Sequence, residues 1–310
     1  MIRDLRKADG PRLYELIQVG FPEEEALVGS NPDGFARVVR RVFRWDARLV
    51  LGVARAFGRP AYRFLVVEED GKVVATTLLS FPERSGFVST VMVDPAYRRR
   101  GYARVLLERA RAISHAVGRR YISLDVLDGN APARALYERL GYRPIASGAF
   151  FFREGDHPAA TGAPGAVRPF RKTDAAPLAE VARRTTPPEV FEVLPVRASA
   201  LRGSGFIDRV LESTTAMWVV DRGAGAEAYV SASVGPTTRS GHLSNAIVAE
   251  GVRDDDLVAL VRTAVAWCAA RGYSRLTARV PAWNERVRAT LLGGGFREAL
   301  KDWTLSRPVD

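Results

Sequence analysis

A short basic segment in the first half of the chain has the composition of an anion-binding loop. Three consecutive arginines (98–100) precede Gly101, and the apolar run 91–93 ends shortly before them. The first turn of a helix leaves backbone N–H groups without partners, and the helix dipole places partial positive charge there. Glycine lets an anion approach the backbone, and guanidinium groups add full charges. The sequence therefore predicts a diphosphate-binding loop that opens a helix near Tyr102, with a solvated turn as the alternative.

Alternating strands and helices surround this loop. Two β-rich runs at 62–68 and 73–80 flank the turn 69–71, which is typical of a hairpin. Residues 87–93 form a further apolar run, and the helical spacing after Gly101 predicts a helix over 102–117. The same patterns predict later elements of this half: a strand at 121–126, a helix at 132–140 and a last strand at 149–153.

The second half of the chain repeats the first. Residues 2–9 and 167–174 share Arg, Arg, Lys and Asp in register, and each copy predicts a short strand followed by an Asp that caps a helix. Segment 154–166 is rich in Gly, Pro and Ala and holds no large apolar residue, which predicts a linker. We therefore predict two α+β units, at 1–153 and 167–310. The second-half elements are predicted as strands at 217–221, 227–233, 242–248 and 275–280, and helices at 254–271 and 284–292.

Composition excludes several classes of protein. Hydrophobic residues make up 47% of the 310 residues and charged residues 26%, as in soluble globular proteins. One cysteine, Cys268, and three histidines exclude an internal disulfide and a Cys/His zinc site. The charged first residues are unlike a signal peptide, and no uncharged apolar run approaches the ~18–20 residues of a membrane span. We expect a cytoplasmic protein with no metal and no membrane partner.

Two sequence blocks in the first half carry a resemblance to a known family. The basic loop follows an apolar strand, and a Leu-Asp-Val strand leads to an Asn and then to the run ALYERLGY. In order and spacing, over roughly residues 1–153, the chain resembles the GCN5-related N-acetyltransferases (GNAT). The resemblance implies two tandem units of that α+β fold, each a mixed, mostly antiparallel sheet flanked by helices. It also implies acetyl-coenzyme A as the acetyl donor. The matching residues are Arg98, Gly101, Ala103, Leu124, Asp125, Val126, Asn130 and 135–142.

The resemblance also implies roles for individual residues. Backbone amides of the loop would hold the pyrophosphate, and the strand before it would pair with the pantetheine arm. Tyr137 would protonate the departing thiolate, since a phenol of pKa ~10 can donate to a thiolate of pKa ~8.5 once the fold positions it. A core aromatic is the alternative for Tyr137. The implied cofactor-binding residues are Val91, Met92, Val93, Arg98, Arg99, Arg100, Gly101, Tyr102, Ala103 and Asn130.

Several carboxylates are candidates for the general base. Asp125 has the acidic position of the Leu-Asp-Val strand and would act through ordered water, or else make only a structural hydrogen bond. Glu23, Glu24 and Glu25, near the expected acceptor loop, are rival bases. Cys268 falls within a predicted helix of the other half, which argues against an acyl-enzyme. Direct attack in a ternary complex is therefore expected.

The second unit has the same order of predicted strands and helices but lacks the candidate reactive residues of the first. A shift of about 155 residues places Asp256 at the position of Gly101, Leu291 at that of Tyr137 and Arg279 at that of Asp125. Asp254 and Asp255 add further negative charge where a pyrophosphate would lie, although such residues cap a helix well. We predict a degenerate unit with a structural role, whose tryptophans pack in the core or between units. These are Trp218, Trp267, Trp283 and Trp303.

The net charge of +11 lies mostly in the first half, which has 26 basic and 18 acidic residues. Five arginines recur every three to four positions opposite apolar residues, which predicts an amphipathic helix with a basic face. We interpret this face as solvated. Contact with an acidic acceptor or with the 3′-phosphate of coenzyme A is the alternative. The arginines of the basic face are Arg37, Arg40, Arg41, Arg44 and Arg48.

The sequence thus predicts an N-acetyltransferase that acts on a primary amine of a small molecule, as a monomer or homodimer. Three alternatives stay open. The acceptor is a protein N-terminus or lysine, or the protein is a non-catalytic acyl-coenzyme A sensor. The third alternative is a nucleic-acid binder that uses the basic half, although no recognised motif of that class is present and aromatic residues do not interleave with the basic face.

Overall fold

The structure is a computed structural model that describes residues 1–20, 22–43, 62–155, 166–201 and 212–310. Arg44, Arg48 and most of the predicted linker, as well as the side chain of Glu24, lie outside this description. The strands are β1 Ile2–Asp4, β2 Tyr62–Glu69, β3 Lys72–Ser80, β4 Ser85–Val93, β5 Tyr121–Leu127, β6 Arg143–Glu154, β7 Val167–Pro169, β8 Thr214–Asp221, β9 Ala226–Val234, β10 Ser240–Val248, β11 Arg275–Pro281 and β12 Arg297–Pro308. The helices are α1 Gly10–Gly20, α2 Pro22–Val28, α3 Pro32–Val42, α4 Tyr102–Ala116, α5 Ala131–Arg139, α6 Ala175–Thr185, α7 Pro188–Val193, α8 Ala198–Leu201, α9 Asp254–Ala269 and α10 Glu285–Gly293.

The first compact unit comprises residues 1–26, 32–146 and 303–310. Its strands follow the order β1-β2-β3-β4-β5-β12, with the end of β12 beside β5. The successive pairs from β1 to β4 (β1 with β2, β2 with β3 and β3 with β4) are antiparallel, and β4 pairs with β5 in parallel. Helix α4 packs its apolar face on this sheet, where Leu106, Leu107 and Ala110 are buried with the strand residues. The predicted mixed, mostly antiparallel sheet is confirmed for this unit.

The second compact unit comprises residues 27–31 and 147–302. Its strands follow the order β6-β11-β10-β9-β8-β7, again with one parallel pair, β10 with β11. Helix α9 buries Leu257, Leu260 and Ala264 against the sheet. Cys268 lies in the same core, and burial raises the pKa of its thiol to about 12, so the thiol is neutral at physiological pH.

The repeated motif at the start of each half builds the same ion pair twice. Arg3 binds the carboxylate of Asp9 with nitrogen–oxygen distances of 2.6 and 2.9 Å, and Arg168 binds Asp174 with distances of 2.8 Å. Asp174 is the N-cap residue of α6 and Asp9 directly precedes α1, as the sequence predicts, but the Asp174 side chain makes no cap hydrogen bond to its helix. Each of the two carboxylates accepts a backbone N–H three residues earlier, from Arg6 and Arg171, and so closes the 3-10 turn that precedes the helix.

The compact units differ from the halves of the sequence at their last strands. Residues 147–154, from the first half, lie in the second unit, and Trp303–Asp310, from the second half, lie in the first. Strand β12 was not predicted, and β6 is longer than the predicted strand at 149–153. The other predicted strands and helices of both halves are present, with ends that differ by a few residues. Among the described residues, no helix has the length and hydropathy to span a membrane.

Candidate active site

A gap opens between β4 and β5 at their carboxyl ends. The two strands pair in parallel only from Ser85 opposite Tyr121 to Val88 opposite Leu124. Beyond that point β4 continues to Val93 and β5 to Leu127 without further pairing between them. A register shift in the β3–β4 pair, with Thr90 at φ +54°, accompanies the separation. Backbone N–H and C=O groups of β4 therefore border a space that an extended ligand can enter.

The basic loop lies directly after this gap and begins helix α4. A 3-10 turn at Pro95–Tyr97 leads to Arg99 at φ +64° and Gly101 at φ +87°, and Gly101 is the residue before the helix. The left-handed φ of Gly101 is a conformation that disfavours other residues. Among the described residues, no atom outside the chain neighbours of Gly101 lies within 4 Å of the position that its Cβ would take. The N–H groups of the first turn of α4 have no partners within the helix, so this open space leaves room for an anion beside them.

Asp94 anchors the start of the loop. Its carboxylate accepts the Ala96 N–H at 2.9 Å, pairs with Arg12 and lies 3.4 Å from the ammonium of Lys72. Burial opposes ionisation of Asp94, but these partners outweigh it and lower the pKa of the carboxyl. Sequence reasoning missed this residue, although an acidic side chain just before a proline at the first position of a turn was a usable signal.

Glu69 fixes two side chains of the loop. Its carboxylate accepts a hydrogen bond from the Tyr102 hydroxyl and lies 3.5 Å from the guanidinium of Arg100. Arg100 also stacks on the ring of Tyr97, with 4.9 Å from Cζ to the ring centroid. The loop is therefore held in its conformation from the side of the β2–β3 hairpin, while Arg98, Arg99 and Arg100 stay exposed.

Tyr137 lies on α5 and is buried in the core of the first unit, with 6% of its surface exposed. Its ring packs against Tyr142 at a centroid distance of 6.1 Å. Burial raises the pKa of Tyr137 to about 12. In the described part of the chain its hydroxyl has no hydrogen-bond partner, which leaves the proton for a ligand. Core packing and an acid role are both compatible with this position.

Asp125 and Asn130 both make local hydrogen bonds. The exposed Asp125 on β5 accepts a hydrogen bond at 2.6 Å from the hydroxyl of Thr304, which is buried on β12. Asn130 caps α5, because its side-chain oxygen accepts the Ala133 N–H at 3.2 Å. The structural alternative foreseen for Asp125 is thus present, and Thr304 is a partner that its distance in sequence concealed.

The other acidic and basic candidates lie on helices before β2. Glu23 and Glu25 belong to helix α2, where an acceptor loop was expected, and Glu23 is exposed. The basic face begins as predicted on α3, with Arg37 and Arg40 exposed and Val38 buried.

At the corresponding place in the second unit, the first turn of the helix carries three acidic side chains. Asp256 is buried in the first turn of α9, and Arg222 binds both its oxygens at 2.7 and 2.8 Å. This pairing lowers the pKa of the Asp256 carboxyl. Asp254 pairs with Arg286 at 2.7 Å. The loss of an anion site in this unit stays a prediction, and the acidic side chains that suggested repulsion are paired with arginines.

Replacement of Arg222 by alanine is expected to lower the unfolding temperature of the second unit by several degrees, because it leaves the buried carboxylate of Asp256 without its guanidinium partner. The variant Arg222→Ala/Asp256→Asn should recover most of this loss. Since a partner holds the Asp256 pKa low, its stabilisation is present above the usual carboxyl range and is lost as pH falls. The deficit of Arg222→Ala should therefore shrink below about pH 4.

Thermal unfolding at pH 7 and pH 3.5 measures this effect. Arg253→Ala is the matched control, because Arg253 pairs only with the exposed Asp255 at 3.7 Å. Its change should stay within about 0.5 kcal/mol. Equal losses in the Arg222 and Arg253 variants would contradict the role of the buried pair.

Comparison with known sequences relates the first half of the chain to acetyltransferases. The sequence model of the acetyltransferase (GNAT) family matches residues 13–142. A mycothiol acetyltransferase from Beutenbergia cavernae is 37% identical over 126 residues, which are 40% of this chain and 42% of that protein. The match thus spans less than half of that relative.

Solved structures extend the similarity to the whole chain. A tandem GNAT protein from the clavulanic acid biosynthesis pathway superposes with a TM-score of 0.69 at 17% identity, covering 100% of this chain and 98% of that one. A GCN5-related N-acetyltransferase from Sphaerobacter thermophilus gives a TM-score of 0.63 at 17% identity and covers 100% and 95%. At these identities the likeness shows the fold.

Proposed function

Because the chain is a member of the GNAT acetyltransferase family with two tandem units, we propose that its first unit is an N-acetyltransferase. It transfers an acetyl group from acetyl-coenzyme A to a primary amine of a small molecule, by direct attack in a ternary complex. The observation that carries the proposal is the open first turn of α4, with Gly101 at φ +87° and free space where a Cβ would be.

The residues around the gap fit acetyl-coenzyme A. The N–H groups near Gly101, Tyr102 and Ala103 and the three exposed arginines before them suit a diphosphate. The unpaired edge of β4 at Val91, Met92 and Val93 suits the amide groups of a pantetheine arm. Asn130 uses its side-chain oxygen to cap α5, so its amide N–H₂ is the group that would donate to the same arm.

Tyr137 would supply the proton that the leaving sulfur takes up. Its high pKa keeps the phenol protonated at neutral pH. A phenol of pKa about 12 is a weak acid, so the proton would move only as negative charge develops on the sulfur. This makes Tyr137 an acid for the transition state rather than a source of free protons.

The acceptor amine loses a proton before or during attack, and a carboxylate is the group available to receive it through water. Asp125 is exposed at the carboxyl end of β5 and is oriented by Thr304, and Glu23 and Glu25 on α2 are its rivals. A base role for Asp125 predicts that Asp125→Asn lowers kcat while acetyl-coenzyme A affinity is unchanged.

A small acceptor is favoured over a protein. The relative from Beutenbergia cavernae is named a mycothiol acetyltransferase, which supports a small-molecule acceptor. Transfer to a protein N-terminus or lysine is the alternative. A non-catalytic sensor would bind acetyl-coenzyme A without needing Tyr137, so retention of the phenol favours the enzyme.

Calorimetric titration of acetyl-coenzyme A is the first test. We expect one site per chain in the wild type and in Asp256→Gly, and none in Gly101→Asp, whose carboxylate would lie at the diphosphate position. Gly101→Asn is the matched control, because Asn tolerates positive φ and is uncharged. It should weaken binding far less than Gly101→Asp.

Two results would contradict the proposal. No binding to the wild type would remove the enzyme interpretation, and two sites per chain would mean that the second unit is not degenerate. If binding is found, release of the coenzyme A thiol in the presence of amino sugars, amino acids and a peptide with a free N-terminus identifies the acceptor class.

A further inference from the structure

The second unit contains a cavity of about 770 Å³ at the carboxyl ends of its parallel strand pair. Strands β10 and β11 pair only from Ser240 opposite Arg275 to Leu243 opposite Ala278, and they separate beyond. Helix α6, the segment before α8 and the start of α10 complete the walls. A volume of this size is within the range of sites that take small organic ligands.

The cavity presents little net charge to a ligand. Three arginines line it, and each has a carboxylate partner, while Glu250 and Glu285 lie exposed at its rim. Because their charge is compensated by these partners, the guanidinium groups offer fixed hydrogen-bond donors rather than a net attraction for an anion. The pairs are Arg279 with Asp302 at 2.6 Å, Arg286 with Asp254 at 2.7 Å and Arg184 with Glu180 at 3.7 Å.

Uncharged polar groups and one aromatic face complete the lining. His242 lines the cavity with its Nδ1 3.0 Å from the Thr277 hydroxyl, and burial lowers the pKa of its ring, so the ring is neutral at neutral pH. Ser244 and Thr186 bring hydroxyl groups to the wall. Trp283 has 36% of its surface exposed and offers a flat apolar face. Such a ring stabilises a ligand that is apolar on one side and hydroxylated on its edge.

The start of α9 argues against a nucleotide or coenzyme ligand in this unit. Three carboxylates, those of Asp254, Asp255 and Asp256, lie in the first turn of α9, and their negative charge opposes binding of a diphosphate at that helix N-terminus. We therefore expect a ligand without a phosphate group, bound by the residues that line the cavity.

We propose that this cavity is a binding site for an uncharged polyhydroxylated ring of pyranose size. The ring would stack on the indole of Trp283, and its hydroxyl groups would bond with His242, Ser244 and Arg279. All the lining residues belong to the second unit, and the proposal does not depend on acetyl transfer by the first.

Saturation-transfer NMR on the full chain tests the proposal, with methyl β-glucoside as the probe. We expect saturable transfer to the ring C–H protons. Sorbitol, which has hydroxyl groups but no ring face, should give little transfer. Trp283→Ala should weaken glucoside binding about tenfold, and Trp283→Phe should keep most of it, because stacking needs an aromatic face. Because Trp283 is exposed in a turn, both variants should fold, and circular dichroism is the control for this.

Other outcomes overturn the proposal. Equal transfer to glucoside in the wild type and Trp283→Ala would mean that the sugar binds elsewhere. Transfer to sodium hexanoate but not to the glucoside would assign the cavity to carboxylates. Loss of the glucoside signal on addition of acetyl-coenzyme A in the Gly101→Asp variant would place a coenzyme in this cavity instead. A lack of acetyl transfer by the first unit would contradict the proposed function but would not change the interpretation of these NMR results.

Discussion

A protein consisting of residues 1–153 alone is expected not to fold, although it contains every sequence motif of the first unit. The fragment lacks Trp303–Asp310, which lie in that unit beside β5. It keeps residues 147–153, whose buried Phe151 and Phe152 belong to the second unit. We expect an aggregating product without a cooperative thermal transition, while the full chain gives one.

The fragment is expected not to fold because the last eight residues of the full chain supply part of the hydrophobic core of the first unit. Leu305 and Val309 are buried in the core that contains Tyr137, and each contributes about 1.5–3 kcal/mol. Buried hydroxyl groups on β12 bond with β5: Ser306 donates to the Ile122 carbonyl at 3.2 Å, and Thr304 donates to Asp125. Together these losses approach the whole stability of a typical domain, about 5–15 kcal/mol.

Two further variants make this prediction specific. Removal of Asp310 alone should change little, because that residue is exposed at the end of the chain. Fusion of residues 297–310 to the 1–153 fragment through a flexible linker should restore a cooperative transition, since it returns the strand beside β5. A folded 1–153 fragment that binds acetyl-coenzyme A would contradict the exchange of last strands.

Local patterns predicted the elements that carry the site. The apolar run before Gly101, the glycine itself and the helical spacing after it are all short-range signals, and β4, the loop and α4 are present where expected. The ion pair between Arg3 and Asp9 also has a visible signature, since its counterpart recurs at Arg168 and Asp174. These features depend on residues close in sequence.

Features that depend on distant partners could not be predicted in the same way. Thr304 lies 179 residues from Asp125, and nothing in its neighbours indicates which strand it meets. Arg222 likewise gave no signal that it would bind Asp256, so the three consecutive Asp residues indicated repulsion instead of a buried ion pair. Charge patterns along a sequence show which groups are present. The fold decides which of them meet.

Tyr137→Phe is expected to lower kcat by about 10²–10⁴-fold, the usual contribution of a positioned general acid. The affinity for acetyl-coenzyme A should stay unchanged, because the diphosphate loop and the edge of β4 are not altered. Stability should also change little, since the hydroxyl has no partner among the described residues. Initial rates with the acceptor found in the amine screen, together with calorimetric titration, measure both quantities.

Tyr142→Phe is the matched control for this substitution. Tyr142 is also buried in the core, its ring packs on that of Tyr137, and burial raises its pKa as well. Loss of its hydroxyl should leave kcat within a few-fold of the wild type. Equal losses in the two variants would indicate a packing effect and remove the acid role from Tyr137.

The pH dependence separates an acid from a merely buried phenol. A general acid acts in its protonated form, so activity that depends on Tyr137 is retained below its pKa and lost as pH rises through it. With that pKa at about 12, Tyr137 should impose no alkaline limb on kcat/KM in the range where the protein is folded. An alkaline limb near pH 8–9 that persists in Tyr137→Phe belongs to another group. A limb that disappears in Tyr137→Phe would show that the phenol titrates far below its expected range, and that it acts from a more polar site than its burial indicates.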